Sequence, residues 1–264
     1  MAASALLPFA AALMAWFFAT GAILWLDRRP EDSWGASLLG ATVVAGFAFA
    51  AVLVSQESAT PLAAYTGFLA AILLWGWHEL SFLLGFVTGP RREACPPDAR
   101  GWQRFRLATA TLIHHEIAIA LTAVALLAVS WGQPTQVAAW TFLLLFGMRL
   151  STKFNIFLGV PHFSDEMLPD HLAYLRSYFR NGRGNPLLAV STLVSIGLTI
   201  SLGWAAFAAP PDSGMAVQLK LLASLAFLGV VEHLFLLLPV RDSALFTWFL
   251  PASDRRPARL IEGE

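Results

Sequence analysis

The residues of this sequence best suited to chemistry are histidines and glutamates that stand side by side within apolar stretches. They form the pairs His78-Glu79, His115-Glu116 and Glu232-His233, with His114 directly before the second pair. Imidazole and carboxylate are the ligands that proteins use for zinc and for non-haem iron or manganese. A carboxylate in an apolar helix is unfavourable unless it is paired, protonated or bound to a cation. The pairs therefore predict a buried metal site or a buried network of charges.

A second group of such side chains follows the apolar stretch that ends near Pro161. It consists of His162, Asp165, Glu166, Asp170 and His171. His162 and Glu166 are four residues apart, as are Glu166 and Asp170, a spacing that places side chains on one face of a helix. The two groups together contain all six histidines of the chain. This concentration indicates a common site rather than scattered surface histidines.

The composition of the chain indicates an integral membrane protein. Hydrophobic residues make up 57% of the chain and charged residues 13%, with a mean hydropathy of +0.64. In a soluble domain about a quarter of the residues are charged. The formal net charge is +0, so the charge balance points to no nucleic-acid partner.

Seven apolar stretches are long enough to span a bilayer, which requires about 20 residues in a helix. They lie at about residues 5–26, 36–54, 61–87, 107–131, 136–158, 187–209 and 215–240. The first is interpreted as a retained helix rather than a signal peptide, because Arg28 and Arg29 follow the apolar run instead of preceding it. The sequence predicts an all-α, single-domain bundle of seven transmembrane helices, with residues 160–186 capping one end.

Positive charge is concentrated in alternate connections of this bundle. Arginines occur at 28–29, five times in 88–106 and three times in 160–186, whereas 55–60, 132–135 and 210–214 contain neither arginine nor lysine. Cytoplasmic loops of membrane proteins are rich in positive charge. We therefore expect a periplasmic N-terminus and a cytoplasmic C-terminus.

In this topology the histidine–glutamate pairs lie at one depth. At a rise of roughly 1.5 Å per residue, each pair lies about 11–12 Å inside the cytoplasmic end of its helix, beneath the capping segment. We predict a mononuclear or dinuclear site for iron, zinc or manganese. Its candidate ligands are His78, Glu79, His114, His115, Glu116, His162, Asp165, Glu166, His171, Glu232 and His233.

Other arrangements of these residues are compatible with the sequence. Arg149 and Lys153, one turn apart in an apolar stretch, could neutralise the glutamates as buried ion pairs. The histidines could be hydrogen-bonded packing residues, and an alternation of histidine and glutamate could pass protons.

Several segments that carry these residues resemble the photosynthetic complex assembly protein PuhE family. They are Trp77 to Glu79, Gly85 to Arg92, His114 to Glu116, Lys153 to His162 and Phe163 to Phe179. The resemblance implies a multi-pass protein of the inner, intracytoplasmic membrane of bacteria that make bacteriochlorophyll. It implies a role in forming the reaction centre and its light-harvesting complex, with complex subunits or bacteriochlorophyll-pathway proteins as partners. It assigns no catalytic residue.

Two functions remain open. The preferred one is an assembly factor that binds complex subunits or carries bacteriochlorophyll, whose magnesium a neutral imidazole could bind. The other is a metal-dependent oxygenase or hydroxylase of the membrane, acting on a bacteriochlorophyll precursor, a quinone or a lipid. The spacings match neither the histidine boxes of membrane desaturases nor the Glu-x-x-His pairs of di-iron bundles. A transporter is a third alternative, although no inverted repeat supports it.

Overall fold

The computed structural model of the protein describes residues 2–163 and 168–239. Asp165 and Glu166 of the predicted site lie outside these residues. Within them the chain forms eight α-helices: α1 Ala2–Asp27, α2 Trp34–Ser55, α3 Pro61–Leu83, α4 Gly101–Ala110, α5 Ile113–Ser130, α6 Val137–Leu158, α7 Pro186–Ala208 and α8 Gly214–Phe235. Two 3-10 helices, Glu31–Ser33 and Asp170–Tyr178, complete the described elements. All the α-helices except α4 are long and apolar enough to cross a membrane, which confirms the prediction of an all-α protein with seven such helices.

Local sequence signals fix where several helices begin. Thr60 accepts a hydrogen bond from the backbone N–H of Ala63, Asn185 from that of Leu188, and Ser213 from that of Ala216. Short polar side chains at this position satisfy backbone donors that the first helical turn leaves free. Proline follows directly at the start of both α3 and α7, where its missing N–H has no consequence.

Two helices, α3 and α8, form the centre of the bundle. They are the most buried of the apolar helices, whereas α1, α2 and α7 are mostly exposed on their outer faces. One apolar cluster joins α3 to α2, α5 and α6 around Phe142, and a second joins α3 to α1, α6 and α8 around Phe68. As a result α6 lies where both clusters meet, in contact with α3, α5 and α8.

The predicted third and fourth helices differ from the structure at the end that carries the candidate site. Helix α3 ends at Leu83 rather than near residue 87, because Gly85 takes a left-handed conformation with φ +78°. The stretch predicted as one helix at 107–131 is divided at Thr111 and Leu112 into α4 and α5. Gly89 packs against this break so closely that an added Cβ would lie 2.2 Å from the carbonyl oxygen of Ala110.

The segment predicted to cap the bundle forms a short 3-10 helix and a parallel bridge between Val160 and Asn181. Arg104 of α4 holds this segment in place. Its buried guanidinium donates hydrogen bonds to the carbonyl oxygens of Phe157, at 3.2 Å, and Tyr178, at 2.7 Å. Burial holds the pKa of this guanidinium below its ordinary value. The contact connects α4, α6 and the capping segment at one end of the bundle.

Candidate functional site

A cavity of about 420 Å³ lies between α1, α3, α6 and α8, at the end of the bundle that the capping segment covers. Most of its wall is apolar or aromatic, and the aromatic side chains are Trp16, Trp75, Phe82, Phe157, Phe163, Tyr178, Phe179 and Phe235. The charged side chains that line it are Glu79, Arg149, Lys153 and Glu232. A concave, mainly apolar space with a few polar groups is the usual form of a small-molecule site.

Two ion pairs join α6 to its neighbours at this cavity. Arg149 Nη2 lies 3.2 Å from Oε2 of Glu79 on α3, and Lys153 Nζ lies 2.5 Å from Oε1 of Glu116 on α5. The two cations are one helical turn apart, so they lie on one face of α6. These are the contacts that the charge-network alternative predicted.

The pair between Glu79 and Arg149 leaves several polar atoms unused. Within the described residues, Glu79 Oε1, Arg149 Nε and the hydroxyl of Thr152 are buried and have no hydrogen-bond partner. The Arg149 side chain is nevertheless 41% accessible, and Arg149 and Thr152 both line the cavity. The accessible part of the Arg149 side chain can therefore form further hydrogen bonds with a molecule in the cavity.

His115 is the most unusual histidine of the site. Its side chain is completely buried, its ring lies 4.6 Å from that of Phe82, and the charges of Lys153 and Arg149 act on it. Neither ring nitrogen has a hydrogen-bond partner among the described residues. A buried polar group without a partner is destabilising by about 1–3 kcal/mol and is rare in native proteins. His115 is therefore a candidate for a functional role, behind the cavity wall that Phe82 forms.

His78 and His233 are instead held by hydrogen bonds between helices. His78 Nε2 lies 2.9 Å from the hydroxyl of Thr122 on α5, although its Nδ1 has no partner in the described part of the chain. His233 Nδ1 donates to the carbonyl oxygen of Gly229 at 2.7 Å, and its Nε2 lies 2.9 Å from the hydroxyl of Ser151 on α6. His233 thus matches the packing alternative, and His78 matches it through one nitrogen.

None of the six histidines lines the cavity wall, and three of them are not buried. His114, His162 and His171 are exposed. The ring of His171 packs at 4.8 Å from that of Trp34, and the backbone N–H of His162 donates to the carbonyl oxygen of Leu236. His114 is exposed where His115 is buried because successive helix residues point about 100° apart.

Within residues 2–163 and 168–239, no three histidine, cysteine, aspartate or glutamate side chains come together closely enough to hold a metal ion. Glu79 and Glu116 each meet a cation of α6 instead. The metal site stays a prediction. Of its proposed ligands, His78 and His115 carry buried ring nitrogens that have no hydrogen-bond partner in this part of the chain.

Sequence reasoning missed three residues of this region. Thr152 lies between the two cations on α6, Ser151 bonds His233, and Arg104 had been counted only as a loop charge. The available signal was the run Arg149 to Lys153, which places two cations and two hydroxyls inside an apolar helix. Serine and threonine hydroxyls in membrane helices also form hydrogen bonds with their own backbone. The presence of a serine or threonine in such a helix therefore does not show that it belongs to a site.

Comparison with known proteins places nearly the whole chain in one family. The family model described as "Protein of unknown function (DUF3623)" matches residues 2–257. A Rhodobacter capsulatus protein with the name "Uncharacterized 30.4 kDa protein in puhA 5'region" is 38% identical over 248 residues, covering 92% of this chain and 89% of the relative. No solved structure matches the chain. The chain therefore belongs to the DUF3623 family.

Proposed function

We propose that this protein is a membrane-embedded assembly factor for the photosynthetic reaction centre and light-harvesting complex. Its cavity would hold a lipophilic molecule that these complexes need, such as bacteriochlorophyll, a precursor of it, a quinone or a lipid. The observation that carries the ligand-binding part is the apolar cavity of about 420 Å³ with the Glu79–Arg149 pair in its wall. A cavity inside a bundle of membrane helices admits an apolar molecule from the bilayer without transfer through water.

The photosynthetic part of the proposal has two supports. The Rhodobacter capsulatus relative lies in the region 5' to puhA, in a photosynthetic bacterium. The segments around His78, His115 and His162 resemble the PuhE family of photosynthetic complex assembly proteins. The expected partners are complex subunits or bacteriochlorophyll-pathway proteins, and the expected location is the inner, intracytoplasmic membrane.

Filling the cavity tests this function. Gly76 lines the cavity, and an added Cβ would meet only Ile23 Cδ1, at 3.7 Å. We expect Gly76→Leu to place its side chain in the ligand space. Lipophilic molecules that purify with the protein are extracted and identified by mass spectrometry. The variant is also used to complement deletion of the relative's gene in Rhodobacter capsulatus, with assembled complexes measured by absorption spectroscopy.

The matched control is Gly147→Leu, because Gly147 is an exposed glycine of α6 whose added Cβ meets nothing within 4 Å. We expect Gly76→Leu to lose the bound molecule and to fall to the complex level of the deletion strain, while Gly147→Leu matches the wild type. Normal levels of the complexes with both Gly76→Leu and Gly147→Leu would reject the proposal. So would a deletion strain that assembles its complexes without loss.

A second candidate function is a metal-dependent oxygenase or hydroxylase of the membrane. The unpartnered ring nitrogens of His78 and His115 favour it, since neutral imidazole is a ligand for iron, zinc and manganese. Metal analysis of the purified protein tests it. A stoichiometric metal that is lost in His115→Ala, together with an altered pigment intermediate in the deletion strain, would support an enzyme. Purified protein without a stoichiometric metal would contradict the metal-dependent enzyme. The ion pairs of Glu79 and Glu116 would then be the main polar feature of the site.

A further inference from the structure

We infer that the cavity selects an uncharged, planar, conjugated lipophile with a carbonyl oxygen, and that Arg149 donates hydrogen bonds to that oxygen. The inference rests on the proposed function, because it specifies the molecule that the cavity holds. The residues that carry it are the Glu79–Arg149 pair and the aromatic side chains of the wall.

The hydrogen-bonding capacity of Arg149 favours a ligand with an acceptor atom. A guanidinium has five N–H donors, and the hydrogen bond described for Arg149 within residues 2–163 and 168–239 uses one terminal nitrogen, towards Glu79. The side chain remains 41% accessible and lines the cavity. In an apolar surrounding, donors without a partner are destabilising. A ligand that supplies an acceptor oxygen at this point therefore binds better than a hydrocarbon of the same shape.

The charges around Arg149 disfavour an anionic ligand. Arg149 is paired with Glu79 and Lys153 with Glu116, and Glu232 is a third carboxylate whose charge acts on Arg149. Each of the two cations thus already has a carboxylate partner, so the charge of a carboxylate ligand would be added to pairs that are already neutral. Because charge interactions are strong where water is scarce, the acceptor on the ligand is expected to be a carbonyl rather than a carboxylate.

The shape of the ligand follows from the side chains around the cavity. Trp16 of α1 and Trp75 and Phe82 of α3 line one side of it. Phe163, after α6, and Phe235 of α8 also line it. Aromatic rings pack against one another in offset or edge-to-face arrangements that add about 0.5–1.5 kcal/mol to simple burial. A conjugated ring fits such walls better than a saturated chain. Quinones and tetrapyrroles with a ring ketone both satisfy this chemistry.

Binding of three probes to the full-length protein in detergent tests the inference. The probes are decylubiquinone, bacteriopheophytin a and para-decylbenzoate, which represent a neutral quinone, a neutral tetrapyrrole and an anion. Quenching of tryptophan fluorescence reports binding, since Trp16 and Trp75 line the cavity. Gly76→Leu serves as the blank for partition into the micelle. We expect at least one neutral probe to bind the wild type about tenfold or more tightly than para-decylbenzoate.

Two variants connect this preference to the ion pair. Glu79→Gln removes one carboxylate, and we expect it to shift the affinity ratio towards para-decylbenzoate by about tenfold. Arg149→Met with Glu79→Leu removes both charges and so leaves neither one unpaired. We expect this double variant to bind the neutral probe about tenfold less tightly, because it lacks the donor. Glu57→Gln, at an exposed carboxylate between α2 and α3, is the control and is expected to keep the wild-type affinities.

The two neutral probes distinguish two classes of ligand. Tight binding of decylubiquinone alone indicates a quinone, and tight binding of bacteriopheophytin a alone indicates a pigment. Wild-type protein that binds para-decylbenzoate as tightly as the neutral probes would overturn the inference. So would an unchanged affinity ratio in Glu79→Gln, or the failure of every probe to bind. None of these results decides the proposed function, which depends on the copurified molecule and on complex assembly with Gly76→Leu.

Discussion

At the scale of single residues, the buried histidines of this protein differ in what holds them. His233 uses both ring nitrogens in hydrogen bonds and joins α8 to α6. His115 is equally buried, but neither of its ring nitrogens has a partner within the described residues. The two hydrogen bonds of His233 therefore offset the cost of removing its ring from water. For His115 no hydrogen bond within the described residues offsets that cost. Equal burial in the two cases permits a direct comparison.

Replacing each of these histidines by leucine separates the two roles. We expect His233→Leu to lower the free energy of unfolding by about 2 kcal/mol, because two hydrogen bonds are lost. We expect His115→Leu to change it by less than about 1 kcal/mol, because an unpartnered polar ring is exchanged for an apolar side chain of similar size. Unfolding of the detergent-solubilised variants measures both values. An equal loss in His115→Leu would show that His115 has a polar partner in the native protein.

At the scale of helices, the break between α4 and α5 lies at the candidate site, since Thr111 and Leu112 line the cavity. The backbone N–H of His115 donates to the carbonyl oxygen of Thr88, and that of Arg91 donates to the carbonyl oxygen of Ala110. The connection after α3 thus lies against the break and occupies the space between the two helices. This arrangement depends on Gly89, since an added Cβ would come within 2.7 Å of three backbone atoms of residues 110–112.

We expect Gly89→Ala to destabilise the protein by about 1–3 kcal/mol, because backbone atoms cannot move aside as a flexible side chain can. Thermal unfolding in detergent gives the comparison. The control is Gly40→Ala on α2, where an added Cβ meets nothing within 4 Å, and there the higher helix propensity of alanine predicts no loss. Equal stability of the two variants would mean that the connection does not rely on close contact with the break.

At the scale of the whole molecule, the orientation in the membrane is a prediction that the only cysteine can test. Cys95 lies between α3 and α4 and is partly exposed, in a connection that also contains Arg91, Arg92 and Arg100. If that connection is cytoplasmic, a membrane-impermeant maleimide should label Cys95 in inverted membrane vesicles but not in intact spheroplasts. Glu57→Cys in a Cys95→Ser background, in the connection between α2 and α3, should show the reverse pattern. Labelling of Cys95 from outside would invert the proposed topology.

The sequence by itself determined the number and the character of the membrane helices. A helix that spans a bilayer needs about 20 mainly apolar residues, which is a property of length and composition. The runs that form α1 to α8, apart from α4, could therefore be recognised without knowledge of tertiary contacts. The end of α3 and the division of α4 from α5 could not. They depend on Gly85 in a left-handed conformation and on Gly89 against residues 110–112, which are packing relationships between distant segments.

The tertiary structure decided which polar residues meet. The apolar composition of the runs identified the helices that carry His78, His115 and His233. The rotation of each helix about its axis follows from the packing of α3, α5, α6 and α8. That rotation directs Glu79 and Glu116 to Arg149 and Lys153 and leaves His114 exposed. The residue types suit a metal, an ion pair and a hydrogen bond alike. Each of these interactions joins residues from two or more helices that are far apart in the sequence. Only the relative positions of those helices therefore decide which interaction forms.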